Sequence, residues 1–329
     1  MVTGGEFELI NRLREVLGPP PDGVYRSIGD DAAVLVPPVN KLLFSCDMLV
    51  EGVHFRLDFS TPFELGWKAL AVNVSDMAAM AGTPRYALVA LGVSAADRPF
   101  SFYEEIYRGL AGAARRYGVA VVGGDTVRTR GPLVIDVAIM GEADRPIMRC
   151  GGRPGDLIAV TGSLGASTAG LEWFLRHRRR LGSPPVERAV LAHQMPEARV
   201  REARAAAATG GVTSMIDISD GLAGDLGHLC EQSGAGAVLD AGAIPLDEDA
   251  VELARQLGAN PMEWALHGGE DYELLMTVAA DRAPAVGEAV ATCGTSFHLI
   301  GRMTAGETGI TLRFADRTVP ITRGGYTHF

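Results

Sequence analysis

Val212-Thr213-Ser214-Met215-Ile216-Asp217-Ile218-Ser219-Asp220-Gly221-Leu222 runs from an apolar segment into a pair of carboxylates and on towards a helix. The apolar run predicts a buried strand ending at Asp217, and residues 221–233 carry helical periodicity behind it. A strand that ends on acid and hands over to a helix is the building unit of an α/β or α+β sheet domain. The arrangement recurs. Asp30 and Asp31 stand in Ser27-Ile28-Gly29-Asp30-Asp31-Ala32-Ala33-Val34, and Asp47 closes Leu42-Leu43-Phe44-Ser45-Cys46. Asp76 follows Ala71-Val72-Asn73-Val74-Ser75, and Asp125 follows Val119-Ala120-Val121-Val122-Gly123-Gly124. A carboxylate with no base beside it is rarely put near a core unless it is hydrogen-bonded, paired or bound to a cation. Taken singly, each of these reads as a helix cap or turn residue, and Asp220 as the cap of the helix at Gly221. Five such places in one chain point instead to a cluster of hard cations of the magnesium type, held by carboxylates together with substrate phosphates.

Outward from these stretches, residues 6–17 put Phe7, Ile10, Leu13 and Leu17 on one helical face, and Gly18 with Pro19-Pro20-Pro21 stops the helix. Residues 32–36 and 42–46 are strand-like around Pro37-Pro38-Val39-Asn40, which predicts a hairpin with Asp30 and Asp47 on neighbouring strand ends. Thr61-Pro62 opens a helix through Trp67, Leu70 and Val74, with Asp76 on it or just past a kink. A strand at 84–93, a helix at 100–117 and strands at 119–122 and 133–140 complete a first unit. Composition shifts at Gly151-Gly152-Arg153-Pro154-Gly155-Asp156, and the chain is expected to divide into domains 1–145 and 146–329. The second unit reads as strands at 157–160, 212–217, 237–240, 273–278, 297–300 and 310–314, with helices between them. One of these, at 187–208, is broken near Pro196. The run Arg176-His177-Arg178-Arg179-Arg180 reads as a solvated helix end that suits the helix dipole.

Composition removes several function classes. With 329 residues, 47% apolar and 21% charged, the chain can bury a large core, and its formal charge of -10 argues against a nucleic-acid partner. No apolar run approaches membrane-spanning length and no signal-like stretch opens the chain, so no membrane and a cytoplasmic location are expected. Cys46, Cys150, Cys230 and Cys293 are scattered with no C-x-x-C pair, which predicts free thiols. Lysine occurs only at Lys41 and Lys68, neither behind a Gly-x-x-x-x-Gly loop, so a Walker-A site is excluded. Any nucleotide phosphate must then be neutralised by metal ions, arginine and backbone N–H groups.

Gly123-Gly124-Asp125-Thr126 and Thr161-Gly162-Ser163-Leu164-Gly165 read as glycine-rich turns after strands, where bare amides can approach a phosphate. For the second, a plain strand-to-helix turn is the simpler reading. His54 alone reads as structural, Arg149 as a surface arginine within reach of the domain junction, and Gly268-Gly269-Glu270-Asp271-Tyr272 as a tight turn.

The ordered set of motifs is more specific than any one of them. Gly29-Asp30-Asp31-Ala32-Ala33, the stretch 45–55 from Ser45-Cys46-Asp47 to Val53-His54-Phe55, and the stretch 71–82 come first. Val122-Gly123-Gly124-Asp125-Thr126, Ile216-Asp217-Ile218-Ser219-Asp220-Gly221-Leu222 and His267-Gly268-Gly269-Glu270-Asp271-Tyr272-Glu273-Leu274 follow. Together they resemble the thiamine-monophosphate kinase family, of the superfamily typified by aminoimidazole ribonucleotide synthetase. The resemblance implies a two-domain α/β (α+β) fold and a homodimer in which N-terminal sheets join into a barrel. It implies ATP-dependent phosphorylation of thiamine monophosphate to thiamine diphosphate, with several magnesium ions. By the same resemblance Asp30, Asp47, Asp76, Asp125 and Asp217 hold the magnesium cluster, assisted by Ser45 and the Cys46 backbone, and Asp220 holds a further ion. Tyr107, Gly124, Asp125, Arg149 and Ser219 are expected to contact ATP, and His54, Glu270 and Tyr326 to face the thiamine. Asp47, Asp76 and Asp217 are the expected catalytic set. Cys46 stands where the family commonly has threonine, and Tyr326 where tryptophan is also familiar. Two other readings stay open: a sister enzyme that activates an amide or carbonyl oxygen with ATP, and a nucleotide-binding sensor without chemistry.

Overall fold

The computed structural model describes residues 6–19, 23–26, 34–35, 40–93, 98–178, 180 and 182–321. The chain forms two compact units, residues 1–77 with 82–144 and residues 78–81 with 145–329. In the first, α1 (Glu6–Leu17), β1 (Val24–Arg26) and β2 (Val34–Leu35) lead to β3 (Lys41–Val50) and α2 (Pro62–Ala79). After these come β4 (Thr83–Val93), α3 (Phe100–Tyr117), β5 (Ala120–Arg128) and β6 (Val134–Ala143). The sheet has the order β3-β6-β4-β5, antiparallel except for the β4–β5 pair, which α3 joins as a crossover.

α2 is apolar almost all round, with Leu65, Leu70, Val74 and Met77 buried, as a helix enclosed by its neighbours must be. Thr61 opens it as expected: its hydroxyl accepts from the Glu64 N–H at 3.3 Å while the Glu64 carboxylate accepts the Thr61 N–H at 2.8 Å, a reciprocal capping box. α2 and α3 touch backbone to backbone. A Cβ at Gly66 would fall 1.8 Å from the Ile106 carbonyl oxygen, and one at Gly109 would fall 1.9 Å from that of Phe63.

Among the described residues the predicted hairpin is not formed. β2 pairs with β1, and β3 instead pairs along its full length with β6, from Lys41 opposite Ala143 to Val50 opposite Val134. Asp47 therefore lies well inside β3, not at a strand end. Asp125 is likewise inside β5, where the sequence pattern ends the strand at Val122. The glycines that disguise this strand are a packing requirement, since a Cβ on Gly124 would lie 1.8 Å from the Val89 carbonyl oxygen of β4.

The second unit holds β7 (Leu157–Thr161), α4 (Ala166–His177), α5 (Pro184–Gln194), α6 (Val200–Ala208), β8 (Val212–Asp217), α7 (Leu222–Ser233) and β9 (Gly236–Asp240). α8 (Glu248–Leu257), α9 (Pro261–His267), β10 (Leu274–Val278), α10 (Ala283–Ala291), β11 (Phe297–Thr304), β12 (Ile310–Arg313) and β13 (Thr318–Ile321) complete it. The sheet order is β13-β12-β9-β11-β7-β10-β8, and only the β9–β12 pair is parallel. Both faces are covered. Ile158, Val160, Ile216 and Leu275 pack with Leu222, Leu226 and Leu229 of α7, while Ala159, Met215, Leu274 and Met276 pack with Ala203, Ala206 and Val286 of α6 and α10. Alternate residues of each strand thus enter different cores, which is why these strands read as unbroken apolar runs. No helix among the described residues is long and apolar enough to cross a membrane.

Candidate active site

In the first unit, strand alternation on β3 exposes Leu42, Phe44, Cys46 and Met48 and turns Leu43, Ser45, Asp47 and Leu49 to the more covered face. α2 fixes two of the latter. The Asn73 side chain, fully buried, accepts the Asp47 N–H at 3.0 Å and donates to the Ala69 carbonyl at 3.0 Å. One turn on, Asp76 accepts a short hydrogen bond from the Ser45 hydroxyl. Burial pushes the Asp47 carboxyl up to about 6, and the charges of Asp76 and Asp136 push the same way. Cys46 donates its thiol to Asp136 at 3.2 Å, and burial with that acceptor raises it to about 11, so the sulfur stays protonated. Carboxylate and hydroxyl oxygens of this kind fit a hard dication in type. Among the described residues, no three His, Cys, Asp or Glu side chains stand in an arrangement that could hold a metal ion. Asp30 and Tyr326 lie outside the described residues.

Asp125 is exposed, its carboxylate accepting the N–H of Thr126 at 2.8 Å. Register puts it in the row Met48, Asp136, Ala90, Asp125, adjoining the row Asp47, Val137, Val89, Gly124. Asp125 thus shares its row with Asp136 and not with Asp47. His54 is half-buried, and its Nδ1 accepts the Val50 N–H at 3.1 Å, which puts the proton of the neutral ring on Nε2. Tyr107 is buried within α3, and that burial raises its phenol well above the ordinary value.

In the second unit two distant motifs are stitched into one surface. Asp217, 3% exposed, ends β8, and the loop after it lies against the turn that follows α9. Glu270 donates its N–H to the Ser219 carbonyl at 2.8 Å, Tyr272 to that of Ile218 at 2.9 Å, and Ile218 to that of Glu273 at 2.8 Å. The approach is so close that a Cβ on Gly269 would lie 2.3 Å from the Ser219 carbonyl oxygen. Glu270 and Tyr272 both adopt positive φ, at 66° and 52°. Side chains are held there only where their surroundings impose it.

Two further carboxylates, Asp225 and the Asp271 of the expected tight turn, organise this surface. Asp225, on the first turn of α7, accepts the N–H groups of Ser219 and Asp220, each at 3.1 Å. Its burial and the nearby charge of Asp217 push it up to about 8. The signal was an acid breaking the apolar stripe Leu222, Leu226, Leu229. Asp271 accepts from the N–H groups of Gly165 at 2.8 Å and Ser167 at 3.4 Å, closing the start of α4, and burial raises it to about 8. The 161–165 loop is thus the strand-to-helix turn that was the simpler expectation, with the Gly165 amide engaged by protein. Gly123 and Gly124, by contrast, lie in a strand and form no turn. Arg149 is exposed, its carbonyl 3.5 Å from the Ser233 hydroxyl, and all four cysteines are free thiols.

The AIR synthase related protein N-terminal domain matches residues 29–143 and the corresponding C-terminal domain matches residues 153–312. A thiamine-monophosphate kinase of Salmonella typhimurium is 37% identical over 330 residues, which span 99% of this chain and 98% of the relative. The chain belongs to the thiamine-monophosphate kinase family. Among solved members, that of Stenotrophomonas maltophilia superposes with a TM-score of 0.83 at 32% identity, covering 94% of this chain and 96% of its own. AaThiL, complexed with AMPPCP and TMP, superposes with a TM-score of 0.78 at 33% identity, covering 99% of this chain and 97% of its own. The two-domain aminoimidazole ribonucleotide synthetase-like fold is therefore the fold of this thiamine-monophosphate kinase family member.

Proposed function

We propose that this chain transfers the γ-phosphoryl group of ATP to the phosphate of thiamine monophosphate, giving thiamine diphosphate and ADP. The observation that carries this is the near full-length likeness to a family member complexed with AMPPCP and TMP. The acceptor is already an ionised oxygen, so no residue has to remove a proton from it, and the task of the protein is to bring two anions into line. In this reading Asp30, Ser45, the Cys46 backbone, Asp47, Asp76, Asp125, Asp217 and Asp220 are magnesium ligands. Magnesium, when bound, supplies charge neutralisation of the donor and acceptor phosphates. What supports the assignment is that the charges of Asp76 and Asp136 both bear on the part-buried Asp47, which makes a cation a natural partner there. Tyr107, Gly124, Asp125, Arg149 and Ser219 are assigned to ATP. His54, Glu270 and Tyr326 are assigned to the cationic thiamine moiety. A homodimer is part of the proposal, supported by the apolar exposure of Leu42, Phe44 and Met48 on β3, Leu88 on β4 and Val127 on β5. A cytoplasmic location accords with a pathway that consumes ATP.

The test is incubation of the purified chain with ATP, magnesium and thiamine monophosphate, against a control lacking thiamine monophosphate. Thiamine diphosphate and ADP in equal amounts are expected. Free phosphate without thiamine diphosphate would identify a sister enzyme, and ATP binding without turnover a sensor.

A further inference from the structure

Glu270 is held from three directions. Its backbone sits at φ 66°, its N–H is tied to Ser219, and its carboxylate Oε2 lies 3.1 Å from Nδ1 of His193 in the last turn of α5. The Glu270 side chain is 27% exposed while that of His193 is 6% exposed, so the contact joins a part-exposed acid to a buried ring. The same Nδ1 stands 2.9 Å from the hydroxyl of Ser167, itself 1% exposed at the start of α4. A carboxylate can only accept, so a hydrogen bond from Nδ1 to Glu270 requires the ring hydrogen on Nδ1, the nitrogen that the Ser167 hydroxyl also approaches. We propose that His193, steadied by Ser167, is a positioning residue that fixes the Glu270 carboxylate for the cationic thiamine moiety. This rests on the assignment of Glu270 to thiamine made above. His193 itself is not assigned a substrate contact. It acts through the rotamer of Glu270, as an outer partner acts on a functional carboxylate.

Four variants test it, Glu270→Gln, His193→Ala, His193→Asn and His193→Gln, each assayed for KM towards thiamine monophosphate, KM towards ATP, kcat and Tm. Loss of the polar contact between His193 and the Glu270 carboxylate predicts that Glu270→Gln and His193→Ala each raise KM for thiamine monophosphate about tenfold, with KM for ATP within about twofold of the parent. The Asn amide nitrogen falls where Nδ1 was, so His193→Asn should restore KM to within about threefold of the parent, whereas His193→Gln, whose amide reaches the Nε2 place, should not. Because Asn and Gln are compared directly, the test stands even if the alanine variant fails to fold. Equal KM values for the Asn and Gln variants, or an unchanged KM in His193→Ala while Glu270→Gln is impaired, would overturn the positioning role alone. An unchanged KM in Glu270→Gln would overturn the assignment of Glu270 to thiamine, and this inference with it.

Discussion

At Asp47 the protein keeps an acid among acids, with burial and the charges of Asp76 and Asp136 lifting its carboxyl to about 6. Above that pH it is ionised against its surroundings, a cost that a bound dication removes. Asp47→Asn is therefore expected to lower kcat by about 100-fold or more, while the Tm of the metal-free protein holds or rises. A steady-state assay beside a thermal melt checks both halves. Asp271 offers a pH test, because burial raises it to about 8 from an ordinary 3.8. A raised carboxyl stabilises the fold fully below its unfolded value and loses that contribution as pH climbs through about 8. The Tm advantage of the parent over Asp271→Asn should accordingly shrink between pH 5 and about 8 and level off above. Asp47, Asp76 and Asp217 were legible in the sequence because each interrupts or closes an apolar run. Asp225 carried a local signal, an acid breaking an apolar stripe with its amide partners Ser219 and Asp220 close by in sequence, whereas Asp271 is marked by amides far along the chain, at Gly165 and Ser167.

Among the elements, α2 carries two local devices of different origin. Its capping box is a sequence feature, Thr61 followed by Glu64 three residues on, and Thr61→Ala should cost about 1 kcal/mol in a denaturant titration. Gly66 is a tertiary feature. Adding a methyl 1.8 Å from the Ile106 carbonyl oxygen must part α2 from α3, and Gly66→Ala should cost about 2 to 3 kcal/mol in the same titration. β5 shows the same division. Its glycines argue locally against a strand, yet at Gly124 only glycine fits beneath the Val89 carbonyl, so the feature that hid the strand is the one that permits it. The misplaced hairpin has a related cause: adjacency in sequence favoured pairing 32–36 with 42–46, but β3 found its ten-residue partner in β6, far along the chain.

For the whole molecule, one face of the first sheet leaves Phe44 71% exposed on its β3 edge and Val127 57% exposed on its β5 edge, with Leu42, Met48 and Leu88 also exposed. If this face closes the proposed dimer, sedimentation should find a dimer for the parent and a monomer for Phe44→Asp, since a charge buried without a partner is not tolerated at such a seam. A monomeric parent would refute the dimer. The sequence by itself determined the fold class, the alternation of strands and helices, and the acidic positions worth testing, because apolar periodicity and carboxylates set against it are local signals. Only the tertiary structure decided that Asp47 and Asp125 lie inside strands, that Ser219 and Glu270 share one surface, and that His193 stands behind Glu270. Those facts depend on which backbone groups pair across long stretches of chain, and a hydrogen-bond partner more than 50 residues away leaves no local trace in the sequence.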